Sequence, residues 1–407
     1  MLALWENPLS VRAEMMTHAQ DPGATQWFHH ARQLENTQLR QLAQSGQLVT
    51  RISHLVHMLQ CERGASNIWL CSRGSLYGPE VRASRALVDE ECRQLHALFT
   101  QLMPQASSTL CHRIAGTVWC LAQLPALREA VSGQALDAQQ AMAQYNRALR
   151  HVLGIVPQLN DSIDDPYVAR GMVALYSFMQ GKELVGQERA LGAIGFTLGE
   201  FELPMRQALV DRIDGQQSCF ETFSSLASPA LVQHFRLQCE ASGTIEQLRR
   251  QACTRQPQAD NGESALRWFT LQTQRLERLR DVEEWLIGEL MQAVERRLAE
   301  DANALPLDNW LDDSADDSLC LRRDKQLLLL VRQQARQLEQ MSGQLASLQD
   351  TLEERKVIDK AKSVLMNHHN MSEEQAWQRL RKMAMDKNQR MVDIARALLT
   401  VKSLIQG

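Results

Sequence analysis

The chain has 407 residues, enough for two or three domains of ~100–200 residues each. With 23% charged and 44% apolar residues it is globular rather than disordered in composition, and no apolar run nears the ~20 residues that span a bilayer. The net charge of −4 is uneven: residues 353–407 carry 11 basic against 7 acidic groups and the preceding residues 33 against 41, so an acidic body precedes a basic tail suited to an anionic partner.

Aromatics make up only 5%, while Leu, Ala, Gln, Arg and Glu dominate, and such straight-chain residues lose little rotamer freedom in helices. The expected fold class is all-α. The first residues, MLALWENPLSVRAEMM, place Glu6 and Pro8 inside any apolar core and do not read as a signal peptide. Nine cysteines without a CxxC pair point to a reduced cytoplasmic compartment.

Residues 1–25 lack helical periodicity and are read as a mobile lead. Over 26–297 long amphipathic helices alternate with breakers at Tyr77-Gly-Pro, Ser132-Gly, Asn160 through Pro166, Leu203-Pro204, and Gln256-Pro257 through Gly262. No segment alternates with period 2, and helices of this length with short connections pack as bundles. Residues 298–321 contain Glu300, Asp301, Asp308, Asp312, Asp313, Asp316 and Asp317 with no basic residue, which reads as an acidic linker. In 322–352, Leu327, Val331, Gln334, Leu338, Met341, Leu345, Leu348 and Leu352 alternate spacings of four and three, the seam of a coiled coil that pairs two chains or docks on the body. Residues 353–407 divide into three helical pieces: one ending near Met366 before His368-His369-Asn370, one begun by a Ser372–Gln375 capping box, and one starting near Asn388. On the last, Met391, Ile394, Ala395, Leu398 and Val401 share a face.

No Walker loop, nucleophile elbow or HExxH motif is present, so an enzyme is not expected. Gly186, Gly192, Gly195 and Gly199 lie in a helical stretch without the preceding strand of a phosphate cradle, and close helix packing accounts for them. His54, His57 and Cys61 share a helix face, but one helix offers three ligands and no fourth is evident, so neither metal nor cofactor is expected. Arg63, in Gln60-Cys-Glu-Arg-Gly-Ala-Ser-Asn67, has no carboxylate at its i±3 and i±4 positions, and neither has Arg189 in Gln187-Glu-Arg-Ala190. A guanidinium between helices without an internal counter-charge is costly unless an anion binds it. Snorkelling to water or pairing across helices is the equal alternative.

Residues 55–70 (LVHMLQCERGASNIWL), with 181–196 (GKELVGQERALGAIGF) and 242–252 (SGTIEQLRRQA), resemble the nitrate- and nitrite-sensing NIT domain. That resemblance implies two antiparallel four-helix bundles holding an anion site between them. Residues 352–399, with AK-x-x-LM, MSE-x-x-A and LR-x-x-AM in order, resemble an ANTAR domain. ANTAR domains bind paired RNA hairpins in transcript leaders and prevent termination. One departure is His368-His369, where the family often has a glycine. The order of the two domains resembles that of nitrate- and nitrite-responsive antiterminators, with nitrate or nitrite as effector.

Carried over position by position, the resemblance implies Arg63 as the first anion contact, Arg250 from the late helix as its partner, and Arg189 as the third. Glu246, one turn before Arg250, offers an intrahelical ion pair instead. For RNA it implies Arg355, Lys356, Lys362, Arg381, Lys387 and Arg390, of which Lys362 and Arg381 fit the motif best. Trp377 is either a ring on which an RNA base stacks or, by its helical spacing with Leu380, a core residue, the reading preferred here, and Ala361, Ala376 and Ala384 let three helices approach. The expected function is anion-triggered release of the tail to leader RNA, by a homodimer when active. The alternative is a coiled-coil scaffold whose basic helices bind a protein.

Overall fold

The computed structural model describes residues 23–160, 166–254, 262–302, 354–355, 357–366, 371–386 and 390–405. Among the described residues every regular element is helical, as composition and periodicity lead one to expect. None of the described helices is long and apolar enough to cross a membrane. The chain divides into two compact units, Met1–Ala335 and Arg336–Gly407.

The first unit opens with α1 (Ala24–Cys71), whose 48 residues begin immediately after Gly23. It continues with α2 (Gly78–Leu102), α3 (Ser108–Leu121), α4 (Leu124–Ser132), α5 (Ala138–Leu153) and the short α6 (Val156–Asn160). Then follow α7 (Pro166–Leu198), α8 (Leu203–Leu226), α9 (Pro229–Gln238), α10 (Gly243–Thr254) and α11 (Glu263–Ala302). Local chemistry explains most of the starts. Asp137 and Gln140 form a reciprocal capping box on α5, and the Ser107 and Ser228 hydroxyls accept the N–H of Leu110 and Leu231. Prolines occupy the first turn of α2, α4, α8 and α9, where a missing N–H costs nothing. Tyr77, at φ 66°, turns the chain into α2.

Helix α1 packs along α2 and α5, and α7 packs along α8 and α11. Helix α1 also lies against α7 and α11, so the two four-helix bundles meet along α1, α7 and α11. Leu48, Ile52, Leu55 and Leu59 line the inward stripe of α1. In the second bundle Phe178 stacks edge-on to Phe223 at 4.8 Å, beside Phe220 and Phe235, also 4.8 Å apart. Burying such side chains contributes about 1.5–3 kcal/mol each. Three of the four glycines expected to let neighbours approach do so: a Cβ on Gly186 would stand 2.5 Å from Arg63 Nη2, one on Gly192 would overlap the indole of Trp268, and one on Gly195 the ring of Phe201. Gly199 does not: it lies just past the end of α7 with nothing within 4 Å of an added Cβ, and its φ of 67° suits a glycine that ends a helix.

In the second unit, residues 357–366 (α12), Glu373–Asp386 (α13) and Met391–Ile405 (α14) enclose a small core. It consists of Ala361, Leu365, Ala376, Leu380, Ala384, Ile394 and Ala395. The capping box at Ser372 forms, with Ser372 N–H donating to Gln375 Oε1 at 3.1 Å and Gln375 N–H to Ser372 Oγ at 3.3 Å. Helix α14 starts at Met391 rather than near Asn388, which lies outside the described residues, as does Val401's side chain. The lead up to residue 22, the heptad track over 322–352 and the His368-His369 turn also lie outside them. Helix α11 runs to Ala302, into the start of the acidic stretch, and residues 303–321 lie outside the described residues.

Candidate anion site and nucleic-acid face

Arg63 of α1 and Arg189 of α7 stand where the two bundles meet, and both are buried. Arg63 Nη1 donates to Asn146 Oδ1 at 2.6 Å and to Glu183 Oε1 at 2.5 Å, and its Nη2 donates to Glu183 Oε2 at 3.2 Å. Glu183 also accepts from Gln60 Nε2 at 2.9 Å and from Gln187 Nε2 at 3.0 Å. Arg63 therefore has an internal counter-charge. It arrives from α7 across the crossing, where the neighbours of Arg63 along its own helix give no sign of it.

Arg189 is the cation for which the expectation of a missing counter-charge holds. Its Nη2 donates to the Gln60 carbonyl at 2.7 Å, its Nη1 to Thr273 Oγ1 at 2.9 Å, and its guanidinium lies 4.8 Å from the Phe269 ring centre. Among the described residues no carboxylate lies within ion-pair distance of it. Burial pushes its pKa down to about 10 and the like charge of Arg63 adds to this, while Glu277 and Glu183 oppose it through space. Around the crossing, the Nε atoms of both arginines, Gln60 Oε1 and both amide atoms of Asn67 are buried with no hydrogen-bond partner among the described residues. Unmet buried groups cost about 1–3 kcal/mol each, and an oxyanion satisfies several donors at once.

The two arginines belong to a repeated arrangement. Each follows a buried glutamate turned into its own bundle. Glu62 accepts from Arg128 through both oxygens at 2.8 Å and from the Tyr145 hydroxyl at 2.8 Å. Glu188 accepts from Arg249 at 2.8 and 2.7 Å, from Gln272 at 2.8 Å and from Gln216 at 2.7 Å. The second contacts match in order: Tyr145 and Asn146 stand 83 residues after Glu62 and Arg63, and Gln272 and Thr273 stand 84 after Glu188 and Arg189.

The structure places Arg250 on the exposed side of α10, and the inward side chain of that helix is its neighbour Arg249. The ion pair with Glu246 belongs to Arg249, at 2.6 Å, and its fork is otherwise taken by Glu188. Sequence reasoning also missed Glu183, Asn146 and Thr273, which come from other helices. His54 turns towards Glu91, 3.8 Å away, whereas His57 Nε2 lies 3.7 Å from Cys61 Sγ and 3.5 Å from Glu277 Oε1. His57, Cys61 and Glu277 thus bring three donors within 4.8 Å of one another. Their surroundings are cationic. Burial, followed by the charges of Lys182, Arg280 and Arg189, holds the His57 pKa down at about 2.

In the C-terminal unit Lys362 donates to Asp359 at 2.7 Å and to Glu373 at 2.8 Å, and these bonds raise its pKa. Arg390 pairs with Glu354, and Arg355 is exposed. Lys356 and Lys387 lie outside the described residues. Trp377 is not in the core as its spacing suggests: it is 38% exposed, and Arg381 lies over its ring at 5.5 Å. A cation beside an exposed indole is a surface on which an unstacked base can lie.

Comparison with known proteins yields matches over both units. The family described as nitrate and nitrite sensing, NIT, matches residues 54–291, and the ANTAR domain matches residues 346–399. The chain is similar to the nitrate regulatory protein of Klebsiella oxytoca, 62% identical over 385 residues that cover 94% of this chain and 96% of that protein. It is also similar to the solved structure of the NasR transcription antiterminator, with a TM-score of 0.71 and 62% identity over 93% of this chain and 98% of that one.

Proposed function

The chain belongs to the NIT and ANTAR family of nitrate-responsive transcription antiterminators, and from that premise we propose how its two units divide the work. The first unit receives nitrate or nitrite where α1 and α7 meet, on Arg189 and Arg63. The second binds paired hairpins of a leader RNA once the effector is bound. Nothing in the reading requires an enzyme, a metal or an organic cofactor. The competing picture, a scaffold that binds only protein, is not favoured, because it gives the sensing domain no task.

Nitrate is planar with three acceptor oxygens, and the flat fork of a guanidinium matches it. Four heavy atoms at no more than about 1.5 kcal/mol each cap the gain near 6 kcal/mol, a dissociation constant of the order of tens of micromolar. The observation that carries the assignment is Arg189: a buried cation with no carboxylate in ion-pair range among the described residues. Arg63, already neutralised by Glu183, ranks behind it, and Arg250, exposed on α10, ranks third. A ligand acts only through the difference in its affinity for two states. The two states proposed are a tail withheld from RNA and a tail released to it, with the heptad track pairing two chains so that two RNA-binding units engage two hairpins. On that unit Arg381 with Trp377 is the first candidate contact, and Arg355, Lys356, Lys362, Lys387 and Arg390 supply phosphate contacts.

Calorimetric titration of nitrate into the full chain, with chloride and sulfate as controls, tests the site. Wild-type protein is expected to bind, Arg189→Ala to lose binding, and Arg63→Ala to weaken it. Undiminished binding by Arg189→Ala would move the site elsewhere.

A further inference from the structure

The repeated arrangement around Glu62-Arg63 and Glu188-Arg189 is broken at one position. Arg63 reaches Glu183, which stands six residues before Arg189 in α7. The residue six before Arg63 in α1 is His57. The flanking contacts confirm that His57 and Glu183 are counterparts. Gln187 donates to Glu183 at 3.0 Å, and Cys61, the counterpart of Gln187, lies 3.7 Å from His57. Arg63 Nη2 passes Gly186, whose added Cβ would stand 2.5 Å away, and Arg189 Nη2 donates to the carbonyl of Gln60, the counterpart of Gly186. By this correspondence Arg189 should meet a carboxylate at position 57. Position 57 holds a buried imidazole instead, near enough to feel the charge of Arg189.

We propose that His57 is the selector of the effector site: standing where the second bundle has Glu183, it leaves Arg189 without an internal carboxylate and therefore open to an external oxyanion. This rests on placing the effector at the crossing of α1 and α7. Of the two equivalent arginines, one is closed by the protein's own carboxylate and the other is left for the ligand. The Arg189 Nε–H, buried with no partner among the described residues, is the donor an oxyanion would take first. His57 offers a neutral ring rather than a second negative charge, so it does not repel the ligand.

The test compares nitrate titrations of full-length wild type, His57→Glu and His57→Gln, with circular dichroism verifying the fold. His57→Glu places a carboxylate on Arg189 as Glu183 does on Arg63, whereas His57→Gln changes size without charge. The expected result is that His57→Glu binds nitrate at least ~10-fold more weakly than His57→Gln. Equal affinities of the two variants would overturn the proposal. Glu183→Gln is the complementary variant should His57→Glu fail to fold. It opens Arg63 and should tighten nitrate binding roughly threefold or more, and unchanged affinity would again overturn the selector role. If the wild type itself bound no nitrate, the assignment of the site would fall first. Wild-type binding with indifferent variants would remove only the selector.

Discussion

Glu188 shows how much of the sensor depends on single buried side chains. It is fully buried and accepts from Arg249, Gln216 and Gln272, with Arg275 at 3.8 Å. Removing one partner of such a cluster leaves uncompensated charge in a low dielectric, and Glu188→Ala is expected to destabilise the first unit by about 3–5 kcal/mol. Urea unfolding followed by circular dichroism reads the shift; a loss below about 1 kcal/mol would mean that water replaces the carboxylate. At this scale the sequence was informative about identity and poor about partners. Arg63 and Arg189 stand out because neither has a carboxylate three or four residues away along its own helix, yet only the fold distinguishes them, since Glu183 is distant from Arg63 in sequence. Arg250 shows the opposite problem: the motif places the right chemistry in α10, but helical phase decides that Arg249 is the residue turned inward.

The crossing of α7 with its neighbours depends on small residues. Trp268 of α11 is fully buried and donates Nε1–H to the Arg189 carbonyl at 3.0 Å, which fixes the backbone from which Arg189 reaches out. Gly192 makes room for that indole. Gly192→Ala is therefore expected to cost about 1–3 kcal/mol through overpacking, even though alanine favours helix. The check is thermal unfolding together with nitrate titration, because displacement of Trp268 should weaken the effector as well; unchanged melting would show that the indole yields easily. Helix existence was legible from periodicity, and so was the capping box at Ser372. The breaks before α4 and α9 were less so, although Pro125 and Pro229 mark them, because a proline in a first turn looks the same as one that ends a helix. Trp377 was misplaced for a related reason. Its spacing with Leu380 suits a buried stripe, but Ala376 holds the inward position and leaves the indole under Arg381. RNA binding should report on that pair: Arg381→Ala is expected to weaken affinity and to lower the slope of log affinity against log salt by about one counterion. An unaltered slope would remove Arg381 from the contact surface.

The whole chain couples a charge-rich sensor to a small basic unit. The basic tail that begins at residue 353 falls within the second compact unit, which begins at Arg336, and salt-sensitive RNA affinity is expected of it. What composition conveys is that two tasks exist. It does not convey the internal repeat of the sensor, because the matched residues are chemically unlike at several positions, Cys61 against Gln187 and His57 against Glu183 among them. In the proposed mechanism, occupancy at Arg189 governs access of the C-terminal unit to RNA. The most direct measurement is fluorescence anisotropy of a labelled two-hairpin leader RNA titrated with full-length protein, with and without saturating nitrate, for wild type and Arg189→Ala. Nitrate is expected to strengthen RNA binding by the wild type and to leave Arg189→Ala at the unstimulated level. Equal RNA affinity of the wild type with and without nitrate would contradict that mechanism.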